Sequence, residues 1–160
     1  MSVIEISELQ ARLAPGQRLL GLDLGERSIG LAMSDTRLTV ATPLKTLARG
    51  KFKTDSKAIL DLMAEHGVGG LVIGLPLNMD GSQGPSAQSA RAFARNFAEV
   101  SEVPLLFQDE RLSTAAVTRI LIEADASRRR RAELVDKMAA AYILQSALDR
   151  LRHLPPPQDG

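Results

Sequence analysis

The sequence predicts an α/β domain: a mixed five-stranded sheet with helices on both faces. Three observations carry this. The chain has 160 residues, of which 44% are hydrophobic, enough to build one core without staples. Three short apolar runs follow one another early, joined by tight links, as in an antiparallel meander. After them, helical spacing alternates with apolar runs, the pattern of β-α crossovers.

The elements follow in order. Ser7 with Gln10 three residues on fits a capping box, and a short helix to about Leu13 ends at Pro15-Gly16. Leu19–Leu24 reads as a buried strand and Ile29–Ser34 as a second, after a turn at Gly25-Glu26-Arg27. Leu38–Leu47 reads as a third, which Pro43 restricts to an edge or a bulge. Ile59, Leu62 and Met63 mark a helix over Lys57–Glu65, stopped at Gly67. Leu71–Leu75 is a fourth strand. Pro85 opens a helix whose face is Ala90, Phe93, Ala94 and Phe97. Pro104–Gln108 is a fifth strand. Ser113 or Thr114 caps a helix carrying Val117, Ile120 and Leu121. A long helix from about Ala132 to Leu151 follows a run of four arginines. Residues 1–17 form a leader, 18–152 the domain, and 153–160 a proline-rich, disordered tail.

Composition excludes several functions. There are no cysteines and two histidines, which removes disulfides, thiolate zinc sites and a cysteine nucleophile. No apolar run approaches the roughly 20 residues of a membrane span, and the charged N-terminus is not a signal peptide. A cytoplasmic protein is expected. Lys and Arg total 20 against 19 Asp and Glu, a net charge of +1, so the distribution of charge matters more than its sum. Aromatics are 3%, too few for base-stacking platforms; a nucleic-acid partner would be held by backbone and shape contacts.

Three carboxylates sit where carboxylates are expensive. Asp23 lies in an apolar strand, on the side of Gly21 and Gly25. Asp136 interrupts a helical face of Ala132, Ala139, Ala140, Ile143 and Ala147. Gly21 and that alanine stripe fit each other sterically, which would bring Asp136 towards Asp23. Glu110 follows the fifth strand, where open α/β sheets place their sites. Converging carboxylates repel unless a cation lies between them, and all-oxygen ligands suit Mg²⁺ or Mn²⁺. Asp35 and Asp109 read as structural or supporting acids.

Four motifs in order then resemble the YqgF/RuvX family of pre-16S rRNA nucleases. They are Leu22-Asp23-Leu24-Gly25-Glu26-Arg27-Ser28-Ile29-Gly30 continuing to Asp35, Gly74-Leu75-Pro76-Leu77-Asn78 continuing to Pro85, Asp109-Glu110-Arg111 with Thr114, and Asp136-Lys137-Met138-Ala139-Ala140 with Gln145. They span Leu19 to Leu151 and leave the leader outside. The resemblance implies an RNase H-like fold related to Holliday-junction resolvases. It also implies a metal-dependent phosphodiesterase using Asp23, Glu110 and Asp136 as catalytic acids and metal ligands. One or two ions would be bound, Asp23 bridging a pair about 4 Å apart, and the product would carry a 5′ phosphate.

Further residues have two readings each. Arg27 and Arg111 either clamp substrate phosphates or hold the acids by salt bridges. Asn78 and Ser82 either receive a phosphate or make turn contacts. Arg128, Arg129, Arg130 and Arg131 are either a solvated loop or a phosphate-binding run. His66 and His153 have no assigned role. The expected activity is 5′-end maturation of precursor 16S rRNA, by a monomer or weak homodimer. A Holliday-junction resolvase acting on branched DNA and a non-catalytic RNA-binding or transcription-associated module are the competing readings.

Overall fold

A computed structural model describes residues 4–78, 80–109 and 128–154, with side chains in the last helix described from Met138 onward. The elements are α1 (Ile6–Arg12), β1 (Arg18–Leu24), β2 (Ser28–Ser34), β3 (Ala41–Ala48), α2 (Phe52–His66), β4 (Val68–Leu75), α3 (Pro85–Val100), β5 (Leu105–Asp109) and α4 (Arg128–Arg152). The strands form one sheet in the order β3-β2-β1-β4-β5. β1, β2 and β3 pair antiparallel, whereas β4 and β5 are added parallel to β1. The mixed α/β class expected from the sequence is the class observed. The helix capped by Ser113 or Thr114 lies outside the described residues, as does the tail from Pro155.

The sheet separates two cores. Leu20, Leu22, Ile29 and Leu31 pack with α2 and α3 through Ile59, Phe93 and Phe97. Leu19, Ala32, Val72 and Leu106 pack on the other face with α4 and α1, through Ala140, Ile143, Leu144 and Leu9. Neighbouring residues of β1 thus serve opposite cores, as strand alternation requires.

Several boundaries depart from the sequence expectation, each for a local reason. β3 starts at Ala41, not Leu38, because Asp35 closes the turn before it. Its Oδ1 accepts from Thr39 N (2.7 Å) and Val40 N (3.1 Å), and its Oδ2 accepts from the Thr39 hydroxyl. Leu38 adopts φ 57° in this turn. β3 is an edge strand, and Pro43 sits beside its irregularity, opposite Ala32.

α2 begins at Phe52 rather than Lys57. The Asp55 carboxylate reaches back to Gly50 N, at 3.1 and 3.2 Å from its two oxygens. Phe52 docks edge-on against Phe93, with ring centroids 5.3 Å apart. α1 begins at Ile6, and its N-cap Glu5 makes no side-chain capping bond; Ser7 is inside the helix. α1 is held instead by burial of Ile6 and Leu9 and by a main-chain bond from Ile4 N to Leu105 O (2.8 Å). The arginine run read as a loop is the start of α4, which opens at Arg128 instead of Ala132. Arginine is a good helix former, so the run extends the helix.

α4 and β1 approach each other backbone to backbone at Gly21. A Cβ built on Gly21 would lie 2.8 Å from Leu144 Cβ and 3.0 Å from Ala140 O. Gln145 fixes the rotation of α4 from the neighbouring strand: its Oε1 accepts from Ala41 N (2.9 Å) and its Nε2 donates to Thr39 O (3.1 Å).

This packing can be tested in two ways. Gly21→Ala should destabilise the fold by about 1–3 kcal/mol, the usual cost of overpacking, seen as a lowered denaturation midpoint in urea; an unchanged midpoint would refute the seam. The second test concerns acid. The Thr39 hydroxyl hydrogen bond, opposed by desolvation and helped by main-chain bonds, holds the Asp35 carboxyl down at about 2. A depressed carboxylate stabilises above its unfolded pKa, and loses that effect as pH falls through its folded value. The gap in Tm between wild type and Thr39→Val should therefore be full above pH about 4 and should close towards pH 2. A gap independent of pH would exclude the charged bond as its cause.

Candidate active site

The sheet's topology brings three strand ends to one edge. β1, β4 and β5 run parallel, so Leu24, Leu75 and Asp109 finish on the same side. The register is continuous: Leu22 faces Ile73, which faces Phe107, and one step further Gly74 faces Gln108. Asp23 lies at that further step, one residue before the end of β1. This is the edge at which α/β sheets expose ligand sites.

Asp23 is half-buried and pairs across the sheet with Gly30 of β2. Leu19 and Gly21 face α4, so Asp23 follows on that face. The direction of α4 can be read from its contacts. Gln145 is level with Ala41, which pairs with Ser34 at the far end of β2. Ala140 and Leu144 meet Gly21 in the middle of β1. The helix therefore climbs towards the Asp23 edge as its numbering falls. Asp136 stands on α4 one turn before Ala140; its side chain is outside the described set. Glu110 and Arg111 lie outside the described residues, directly after the last described residue of β5. Among the described residues no three carboxylate or imidazole groups cluster as a metal site.

The remaining sequence candidates divide. Arg27 is exposed in the β1–β2 turn, and its guanidinium takes no hydrogen bond or ion pair among the described residues. Asn78 and Ser82 meet each other: Asn78 Nδ2 donates to Ser82 Oγ (2.9 Å), and Ser82 N and Oγ both donate to Asp80 Oδ1 (2.9 and 2.6 Å). These contacts hold the turn that precedes α3. Arg128–Arg131 lie at the start of α4, with their side chains outside the described set. Asp35 is occupied by its own turn.

Two residues near the edge escaped sequence reasoning. Gln108, 9% exposed, shares the α4 face with Leu106, and its Oε1 accepts from Arg150 Nη1 at 2.7 Å. Arg49 holds the turn that follows Asp23. Its main-chain N donates to Arg27 O (2.9 Å), and its Nη1 donates to Gly25 O (2.6 Å). Gly25 N also donates to Ser28 O (2.8 Å), which closes the turn. No sequence spacing relates residue 49 to residue 25; only the β2–β3 pairing brings them together.

Known proteins agree with this architecture. Residues 17–150 match the family model described as RuvX: Holliday junction resolvase. A protein of Methylocella silvestris named "Putative pre-16S rRNA nuclease" is 55% identical over 95% of this chain and 94% of its own. One of the same name from Paramagnetospirillum magneticum is 57% identical over 93% and 96%. Among solved structures, RuvC of T. thermophilus in complex with a Holliday junction substrate superposes with a TM-score of 0.55 at 13% identity, covering 88% of this chain and 99% of that one. That likeness concerns the fold alone. The length and identity of the sequence matches decide the family: this chain belongs to the RuvX family.

Proposed function

We propose that the chain is a metal-dependent endonuclease that hydrolyses phosphodiester bonds in the 5′-end maturation of precursor 16S rRNA in the cytoplasm. The observation that carries the proposal is the half-buried Asp23 at the carboxyl edge of the parallel strands, on the face towards which α4 brings Asp136. The names of close relatives supply the substrate class.

The chemistry of the donor set fits a hard divalent ion. Asp23, Glu110 and Asp136 offer only carboxylate oxygens, and the chain has no cysteine thiols, a set that suits Mg²⁺ better than softer metals. Of the histidines, His66 ends α2 and His153 follows α4, so neither joins the set. These three acids would hold Mg²⁺ or Mn²⁺, one ion or two. Bound there, the metal would supply an activated water and offset the charge that builds on the phosphoryl oxygens.

The chain's other residues orient the substrate. Arg27, in the turn next to Asp23, would engage a phosphate bidentately, and Arg111 would do the same from beyond β5. The sheet beneath Asp23 excludes water from the far side. Arg49 fixes the Gly25–Arg27 turn, so the acid and the arginine keep a constant relation. Arg128–Arg131 would contact phosphates further from the cut. Asn78 and Ser82 shape the loop before α3 and contribute through that shape.

A second reading, symmetric cutting of a four-way DNA junction, has two observations in its favour, the description of the matching family model and the fold shared with RuvC. One cleavage panel separates the two. Purified protein with Mg²⁺ or Mn²⁺, and with chelator, would meet a labelled 16S precursor leader and a four-way junction. Metal-dependent cutting of the RNA is expected; cutting of the junction alone would replace the rRNA proposal with the resolvase.

Asp23→Asn should lower cleavage about a hundredfold or more, because several kcal/mol of charge stabilisation depend on the metal and about 1.4 kcal/mol is tenfold in rate. The same variant should lose the rise in Tm that Mn²⁺ gives wild type. Wild-type cleavage by folded Asp23→Asn would end the proposal. Replacing Arg128–Arg131 by alanine should flatten the salt dependence of RNA binding, by about 0.7 in slope for each phosphate left without its arginine; an unchanged slope would remove the run from the interface.

A further inference from the structure

Arg49 and Lys51 in the connection between β3 and α2, and Lys53 at the start of α2, fall within five residues. Two of these cations sit where local stability disfavours them. Lys51 is the N-cap of α2, with no side-chain capping bond, and Lys53 is in its first turn. A helix N-terminus is the positive end of the peptide dipole, so cations there are destabilising and acids are preferred. Both lysines are exposed, and neither makes an ion pair or side-chain hydrogen bond among the described residues. Asp55, the one acid of that first turn, spends its carboxylate on Gly50 N and pairs with neither lysine.

A groove runs beside them. Two clefts, of about 180 and 160 Å³, meet at Arg49 and Ser89. The first begins at Gly25 and Glu26, two residues beyond Asp23, and is walled by Ser86 at the start of α3. The second continues along α3 to Asn96. Arg49 Nη2 donates to Ser89 Oγ (3.3 Å) at the junction. From Ser86 to Asn96 the helix rises about 15 Å. The walls therefore present hydroxyls, an amide and one guanidinium beside the apolar surfaces of Pro85, Phe52, Ala92 and Phe93, over a length suited to an extended chain. Among these residues the anions are Glu26 in the first cleft and Asp55 in the second, and the Asp55 carboxylate is occupied by Gly50 N.

We propose that this groove carries the single-stranded nucleic acid flanking the bond cut at the Asp23 edge, with Lys51 and Lys53 as outlying phosphate contacts. The inference rests on the nuclease reading and adds a path for the substrate to it. The strand would cross the carboxyl edge of the sheet at the Gly25–Arg27 turn and pass along α3. Hydroxyl, amide and backbone contacts give a track that reads the chain rather than its bases.

The test is binding, which does not depend on catalysis. A fluorescein-labelled single-stranded RNA carrying the 16S leader would be titrated by anisotropy across a salt series, in chelator. The full-length double variant Lys51→Gln/Lys53→Gln would be compared with Arg12→Gln/Arg37→Gln, which removes the same charge from the other end of the sheet. Expected is a slope of log K against log salt lower by about 1.4 for the first pair, about 0.7 for each lysine, and near wild type for the second. The first variant should also melt no lower than wild type, because it relieves the helix terminus. Equal slopes in wild type and the first variant, or equal reductions in both variants, would overturn the track. If wild type binds with this pattern yet cleaves no RNA, the track stands and the nuclease reading fails. If wild type cleaves and the slopes do not separate, the reverse holds.

Discussion

The approach of α4 to β1 at Gly21 is the contact on which the rest of the structure depends. With no side chain on residue 21, the helix backbone settles against the strand at Ala140 and Leu144. Ala139, Ala140 and Ala147 are fully buried beneath it. Small residues at such a contact exchange side-chain volume for closeness, and a packed interior does not absorb an added methyl without shifting backbone. Gln145 then fixes the helix against β3 through both ends of its amide. Height, rotation and direction of α4 are set together, and so is the position of Asp136 along the sheet.

The same contact divides the molecule into a stabilising half and a functional edge. Below Gly21, α1 closes the second core through Ile6 and Leu9, and Asp35 ties off the β2–β3 turn. Above Gly21, β1 has three more residues before the Gly25–Arg27 turn. There the polar groups are arranged around Asp23: Arg49 underneath the turn, Arg27 on it, and Gln108 one register step beyond Phe107.

Cations at this edge differ in what they serve. Arg49 is held by a carbonyl and a hydroxyl, and so contributes order to the turn. Arg27, Lys51 and Lys53 take no such partners among the described residues, which leaves them suited to a polyanion. The loop from Asn78 to Gln83 represents the opposite case. Its side chains satisfy one another, and Gly81, at φ 87°, gives the turn its shape. In this glycine- and serine-rich loop the polar side chains make contacts with one another.

Much of this was determined by the sequence alone. The period-two and helical spacings specify five strands and their helices, because burial imposes its period on the residue order. Asp23 stands out because a carboxylate in an apolar strand violates that order. Spacing alone does not give the helix start at Phe52, the strand start at Ala41 or the helix start at Arg128, where local propensity extends the helix. Phe52 depends on a partner distant in the chain, Phe93, and Ala41 on the Asp35 turn, a local bond whose strength spacing does not encode. The role of Arg49 was likewise decided in three dimensions, since residues 25 and 49 meet only through the pairing of β2 with β3. Sequence periodicity reports which face a residue occupies; the contacts that position a site come from elements whose separation along the chain carries no pattern.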